Sequence, residues 1–281
     1  MKLIRYGDAG KEKPGIVDSA GAIRDLSGVV SDIDGAAISP EGLAKIRGVD
    51  LNSLPKVSGN PRLGAPVGNV GKFLAIGLNY VDHAKEANQP IPKEPILFMK
   101  ASSCIAGPND AVALPKGSVK GDWEVELAFA IGKTAKAVSE TDALDHVAGY
   151  MICNDVSERE WQLERGPTWD KGKGFDTFGP LGPWLVTTDE IRDPQNLAMW
   201  LDVNGKRMQT GSTKTMIFDV RKLISYVSFL CTLKPGDVIT TGTPPGVGMG
   251  IKPNPVFLRP GDVMRVGIDG LGEQRQEVTG G

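Results

Sequence analysis

Trp123-Glu-Val-Glu-Leu-Ala-Phe-Ala-Ile-Gly132 predicts a β-strand: its first half alternates polar and apolar residues, and its second half is apolar. Successive side chains of a strand point to opposite faces, so Glu124 and Glu126 share one face with Cα atoms roughly 7 Å apart. Val125, Leu127 and Phe129 face the other way and are candidates for the core. Two neighbouring carboxylates repel and lose hydration, so something must compensate them. A divalent cation does so, and a third carboxylate would complete the set. Asp155 is the candidate, because it follows the apolar run Tyr150-Met-Ile-Cys153, where a buried strand delivers a polar side chain. Ligands that are all oxygen favour a hard ion, Mg²⁺ first, then Mn²⁺ or Ca²⁺. By spacing alone, a Glu-x-Glu on a strand is more often a solvated face paired with lysines.

On either side of this strand the chain reads as a β-rich body with short helices. Glycine (36) and proline (20) are frequent enough to predict many turns rather than a helical bundle. KFLAIGLNY, from Lys72, and EPILFMKASS, from Glu94, are further strand-like runs. DALDHVAGY predicts a short helix capped by Ser139 or Thr141, and Ser157-Glu-Arg-Glu160 has the pattern of a capping box opening another. Met216, Val220, Leu223, Ile224, Val227 and Leu230 recur at helical spacing, which predicts a helix from near Thr213 to Lys234-Pro-Gly236. Leu233-Lys-Pro-Gly-Asp-Val238 and Leu258-Arg-Pro-Gly-Asp-Val263 are nearly the same string. Pro-Gly suits the centre of a type II turn, so the two predict strands of one sheet entered through the same turn. Residues 1–66 read as a small α+β unit, with turns at Pro14-Gly15 and Ala20-Gly21 and a helix between Ser39 and Gly48. A Pro- and Gly-rich linker leads from there to a domain spanning 71–281.

Composition removes several functions. A net charge of −2 gives no basic face for nucleic acid. No apolar run is long enough to span a membrane, and the N-terminus has no apolar signal core. Three widely spaced cysteines without a CxxC pair speak against disulfides or thiolate zinc and fit a reducing cytoplasm. With two histidines in the chain, any imidazole base is His83 or His146, and His146 has no motif around it. His83 and Glu86 lie three apart, on one face if the segment is helical; a carboxylate beside an imidazole fixes its tautomer and raises its basicity. Taken alone, that spacing more often marks a surface pair. The Pro-rich stretch after it, Asn88 to Pro95, would make a lid hinge. Thr241 to Gly250 looks like a nucleotide loop but lacks a Gly-Lys-Ser/Thr ending, and Lys252-Pro-Asn-Pro255 cannot start the required helix. No G-x-S-x-G elbow is present.

Several blocks occur in the order that marks the fumarylacetoacetate hydrolase superfamily. They are Gly77-Leu-Asn-Tyr-Val-Asp-His83, Leu97-Phe-Met-Lys-Ala-Ser-Ser103, Trp123-Glu-Val-Glu126, Asn154-Asp-Val-Ser-Glu-Arg159 with Gln162, Lys173-Gly-Phe-Asp-Thr-Phe178 and Gly242-Thr-Pro-Pro-Gly-Val247. From about Gly71 onward the chain resembles that superfamily, and within it the bacterial hydrolases of 2,4-diketo-3-deoxy sugar acids. Ala101 departs from the pattern, standing where many members have proline, but no chemical group is lost.

The resemblance implies an α+β, mainly β fold: a mixed β-roll or sandwich with a few short helices and a small N-terminal domain. It implies Glu124, Glu126 and Asp155 as metal ligands, His83 and Glu86 as a catalytic dyad on a lid, and Lys173 facing the substrate. Lys100, Ser103, Arg159, Gln162 and Thr243 are the expected substrate contacts. The implied reaction is metal-dependent hydrolysis of the C3–C4 bond of a small 2,4-dioxo acid. The expected substrate is 2,4-diketo-3-deoxy-L-rhamnonate or -fuconate, giving pyruvate and lactate. Oxaloacetate decarboxylation, oxo-dienoate isomerisation, ureidoglycolate lysis and a non-catalytic metal-binding module are the alternatives. Relatives pair through the catalytic domain, so a homodimer or dimer of dimers is expected.

Overall fold

The computed structural model describes residues 1–280. Strands β1 (Lys2–Tyr6), β2 (Lys13–Val17) and β3 (Ile23–Asp25) precede helix α1 (Pro40–Arg47), whose N-cap Ser39 Oγ accepts the Gly42 N–H at 3.1 Å. Then come β4 (Leu63–Gly64), β5 (Phe73–Gly77), helix α2 (Val81–Glu86), β6 (Ile96–Lys100), β7 (Ile105–Ala106) and β8 (Val112–Leu114). The centre of the chain forms β9 (Gly121–Asp122), β10 (Val125–Ile131), β11 (Val147–Asn154), β12 (Ser157–Glu158), α3 (Arg159–Leu163) and α4 (Asp170–Lys173). It closes with β13 (Gly179–Thr187), β14 (Ala198–Val203), β15 (Lys206–Ser212), α5 (Val220–Leu230), β16 (Val238–Thr240), β17 (Val263–Ile268) and β18 (Gly272–Gly280).

The fold is α+β and mainly β. An 11-stranded sheet runs β3-β2-β1-β13-β11-β10-β16-β5-β6, with β4 beside β1 and β7 beside β13. A five-stranded sheet, β15-β14-β17-β18-β8, packs on β10, β11 and β13, and one core joins the two. Between its neighbours β11 and β16, β10 is buried at every position. A strand covered on both faces reads as an apolar run, which is why Leu127 to Ile131 lose the alternation of the first residues. Residues 1–66 add β1 to β4 to this same large sheet, because β1 pairs with β13 at Lys2↔Val186 and Leu3↔Leu185, and α1 contributes Leu43 and Ile46 to the shared core.

Several local expectations are corrected by tertiary pairing. Pro14-Gly15 is not a turn but lies inside β2 opposite Arg5 and Ile4. A Cβ on Gly15 would sit 3.0 Å from the Ile4 and Tyr6 side chains, so the glycine serves close packing. The Ala20-Gly21 turn does form, with Gly21 at φ +81°. The long helix starts at Val220, capped by Asp219 Oδ1 on the Lys222 N–H (2.8 Å), and not near Thr213. Thr213–Thr215 makes a single 3₁₀ turn, and Asn79 ties down the bend that follows it: Ile217 N–H donates to the Asn79 carbonyl (2.7 Å) and Phe218 N–H to its Oδ1 (2.9 Å). DALDH forms one 3₁₀ turn, Ala143–His146, before β11 begins at Val147. The cap of α3 is Glu158, whose Oε2 accepts the Trp161 N–H (3.0 Å), because Ser157 is held in β12 opposite Asp122.

The echoed strings lie in different sheets. β16 belongs to the large sheet and β17 to the small one, so the repeat encodes a turn and not a shared sheet. In both, the aspartate closes the turn: Asp237 Oδ2 accepts the Lys234 N–H and Asp262 Oδ2 the Arg259 N–H, each at 2.7 Å. Asp237 is buried and also takes the Lys72 N–H and ammonium, whereas Asp262 is half-buried. Removing a buried acceptor leaves its donors without partners. Asp237→Ala is expected to cost about 3 kcal/mol in urea unfolding, and Asp262→Ala about 1 kcal/mol.

Candidate active site

The site begins where β10 meets β11. Val125 pairs with Asn154 and Glu126 with Cys153, and the Asp155 N–H donates to the Glu124 carbonyl at 2.9 Å. This pairing turns the Glu124, Glu126 and Asp155 side chains into one space. Each offers an oxygen within 4.8 Å of the others, and all three residues are at most 6% exposed. Asn154 locks the junction, its Oδ1 accepting the Glu124 N–H (3.2 Å) and its Nδ2 donating to Gln276 Oε1 (3.1 Å).

Three cations surround the carboxylates. Lys173, at the end of α4, places Nζ 2.7 Å from both Glu124 Oε2 and Asp155 Oδ2. Lys100, at the end of β6, donates to Asp155 Oδ1 at 2.6 Å. Arg159 opens α3 and donates through Nε to Asp122 Oδ2 (2.8 Å) and through Nη1 to Gln162 Oε1 (2.9 Å). Its Nη2 lies 2.7 Å from Glu124 Oε1 but without the alignment of a hydrogen bond.

The charges do not balance. Four buried carboxylates, Asp122 included, face three buried cations, leaving one negative charge. Burial works against the charge of Glu124, but Lys173 and Arg159 hold its carboxyl well below the usual range. Glu126 carries the surplus. Burial, then the charges of Asp155 and Glu124, push its carboxyl well above its ordinary value. Its Oε2 accepts from Thr240 Oγ1 (2.5 Å) and the Gly242 N–H (2.9 Å), while Oε1 has no donor among the described residues. An all-oxygen set with one uncompensated charge and one free oxygen fits a divalent cation, which would turn the net charge of the cluster to +1.

The carboxylates open into a cavity of about 500 Å³ that is also lined by His83 and Glu86 of α2. His83 Nδ1 is 2.9 Å from Glu86 Oε2, and Glu86 Oε1 accepts the Gly246 N–H at 2.8 Å. With Nδ1 given to the carboxylate, Nε2 is the imidazole nitrogen left to accept a proton. Ile76, Leu78, Ile96, Phe98 and Trp169 form much of the wall. Phe98 and Trp169 meet edge to face at 5.6 Å, and Gly77 makes room for Trp169, since a Cβ there would lie 2.1 Å from the indole.

Of the expected site residues, His83, Glu86, Glu124, Glu126, Asp155, Arg159, Gln162, Lys173 and Thr243 all line this one cavity. Thr243 does so with its hydroxyl committed, donating to the Val125 carbonyl and accepting from Gln209 Nε2, each at 2.8 Å. Two expected substrate contacts fall elsewhere. Lys100 is buried behind Asp155 and supports it from outside the cavity wall. Ser103 is exposed on the 3₁₀ turn Ser102–Cys104 and does not line the cavity. His146 precedes β11, at the opposite end of that strand from Asp155, and is bonded to the Lys133 carbonyl. Asp122 went unread in the sequence although it is fully buried and anchors Arg159; its signal was a third acid beside Glu124 and Glu126.

No helix of the described residues is long and apolar enough to cross a membrane. Residues 72–279 match the model of the family described as fumarylacetoacetate (FAA) hydrolase C-terminal. A Burkholderia cenocepacia relative, provisionally named a hydrolase, is 64% identical over 278 residues, 99% of each chain. Among solved structures, the maleylpyruvate hydrolase of Sphingobium sp. SYK-6, in complex with manganese(II) ion and pyruvate, is 32% identical over 100% of both chains, with a TM-score of 0.82. The 5-carboxymethyl-2-hydroxymuconate delta-isomerase of Mycobacterium smegmatis is 30% identical over 100% of this chain and 99% of its own, with a TM-score of 0.77.

Proposed function

This chain belongs to the fumarylacetoacetate hydrolase family, and from that membership we propose that it hydrolyses the C3–C4 bond of an acylpyruvate, a 2,4-dioxo acid, to pyruvate and a carboxylic acid. One observation carries the reading: the uncompensated carboxylate cluster and the His83–Glu86 dyad face the same cavity. Glu124, Glu126 and Asp155 would hold a divalent cation, Mg²⁺ first, which when bound supplies positive charge to the 1-carboxylate and 2-oxo oxygens of the substrate. The manganese(II) and pyruvate in the Sphingobium structure support that assignment.

His83 Nε2 takes a proton from water, and the water oxygen adds to C4. The C3–C4 bond then breaks with its electron pair left on C3, and the fragment carrying C4 departs as the carboxylic acid. The proton held on His83 is the one returned to C3, completing pyruvate. Lys173 Nζ and Arg159 Nη2, each 2.7 Å from a Glu124 oxygen, supply positive charge beside the oxygens on which negative charge develops. Glu86 keeps Nδ1 protonated throughout.

Within this class, the inner walls support an apolar acyl group over the hydroxylated chains of 2,4-diketo-3-deoxy-L-rhamnonate and -fuconate. The side chains of Ile76, Leu78, Ile96 and Phe98 offer no partner for a row of hydroxyls. The Mycobacterium smegmatis neighbour keeps isomerisation as a second reading. Product analysis separates them. With Mg²⁺ and a set of acylpyruvates of differing acyl chains, the enol absorbance is expected to fall as pyruvate and the acid appear in equal amounts. A shifted double bond without pyruvate would replace hydrolysis by isomerisation.

A further inference from the structure

The glycine-punctuated loop that follows Pro245 is not a phosphate cradle, and its geometry gives it another purpose. Each glycine of Gly246-Val-Gly-Met-Gly250 is pressed against a particular neighbour. Gly246 has φ +105°, and a Cβ on it would lie 2.0 Å from the Met208 carbonyl oxygen. On Gly248 it would meet Asp122 Oδ1 at 2.8 Å and the Trp123 ring at 3.0 Å, besides the Val256 carbonyl oxygen at 2.0 Å. On Gly250 it would meet the Glu86 carboxylate at 2.7 to 3.0 Å and nothing closer.

The hydrogen bonds run the same way. Asp122 Oδ1 accepts the Trp123 and Gly248 N–H groups at 2.8 and 2.7 Å, and Oδ2 accepts Arg159 Nε and the Met249 N–H at 2.8 and 3.0 Å. Trp123 Nε1 donates to the Gly246 carbonyl at 3.0 Å, while the N–H of Gly246 donates to Glu86 Oε1 at 2.8 Å. Both Asp122 and Trp123 are wholly buried. By contrast α2, which carries the dyad, has six residues and no side-chain N-cap bond. A helix that short does not hold a side chain still by itself.

We propose that Asp122 and Trp123 are positioning residues: they fasten the loop 246–250 beside the carboxylate cluster, and the loop aims Glu86, and through it His83, at the cavity. The orientation of the dyad is thus set from the cluster side of the site. Asp122 joins the two halves, since the same carboxylate holds Arg159 and the loop. The assignment rests on the role of His83 proposed above.

Three variants test it. Gly250→Ala places a methyl group against the Glu86 carboxylate, its nearest neighbour; Trp123→Phe deletes the N–H that bonds Gly246 while keeping an aromatic ring, and Asp122→Asn turns one acceptor into a donor. Each is measured for kcat and KM on an acylpyruvate, for Mn²⁺ affinity, and for amide hydrogen exchange in residues 81–89 with and without Mn²⁺ plus pyruvate. Gly250→Ala and Trp123→Phe are expected to lower kcat by about ten- to a hundred-fold, as a misplaced base does. Mn²⁺ affinity should stay at the wild-type value, and exchange in 81–89 should quicken. Wild-type kcat and exchange in both variants would overturn the proposal, as would a loss of kcat that tracks a loss of Mn²⁺ affinity. If Asp122→Asn does not fold, the other two still decide. Exchange needs no turnover, so a wild-type protein that cleaves no acylpyruvate would sink the proposed function while the exchange arm still judges the latch.

Discussion

Replacing His83 by alanine is expected to slow acylpyruvate cleavage by about a thousand-fold, the scale of losing a positioned general base. Metal affinity should stay unchanged, because His83 bonds to Glu86 and to none of the three clustered carboxylates. His83 nonetheless lines the same cavity as the three carboxylates. A uniform loss of binding would raise KM instead, so the expected signature is a fall in kcat with KM little altered. Glu86→Gln keeps the shape but not the charge beside Nδ1, and is expected to cost about ten- to a hundred-fold. Steady-state kinetics with calorimetric Mn²⁺ titration checks both; wild-type rates in His83→Ala would remove His83 as the base.

Glu126→Gln is the second large effect, and it acts in opposite directions on function and on the metal-free fold. Gln can still accept from Thr240 and Gly242, so the local geometry survives. The amide supplies no charge, and divalent-ion affinity is expected to fall by at least about a hundred-fold. In the metal-free protein the same change relieves repulsion from Asp155 and Glu124. The carboxyl of Glu126 is raised on folding, so its favourable contribution is present below the unfolded carboxylate range near pH 4.5 and is lost as pH rises above it. Metal-free wild type should therefore lose stability relative to Glu126→Gln as pH rises from about 5 towards 8. Thermal melts in chelator across that range check the sign, and parallel curves would contradict it.

The parts of the site that could be read in the sequence are those set by local period. Glu124 and Glu126 share a face because a strand repeats every two residues, and His83 meets Glu86 because a helical turn brings i and i+3 together. Asp155 was legible as the polar end of an apolar run. What could not be read depends on partners far away in the chain. Nothing near Thr213 announces that Asn79, over a hundred residues earlier, will hold residues 217–218 in a bend. The twin Pro-Gly-Asp turns carry no mark of the sheet each will enter. Lys100 and Ser103 share a strand end and its turn, yet the register sends the lysine behind Asp155 and leaves the serine in solvent. Asp122 was hidden because a lone acid beside a Glu-x-Glu looks like more of the same charge; its four bonds come from three separate segments.

Three acidic side chains sharing one hard cation is the claim on which the chemistry depends. Titrating metal-free protein with Mn²⁺ under electron paramagnetic resonance reads it directly, because bound ion loses the six-line signal of the free ion. One ion per chain should bind in wild type, its environment should change on adding pyruvate, and Glu126→Gln should leave the free-ion signal nearly intact. Free signal that grows in step with added Mn²⁺ in wild type, while acylpyruvate is still cleaved in excess chelator, would contradict the account.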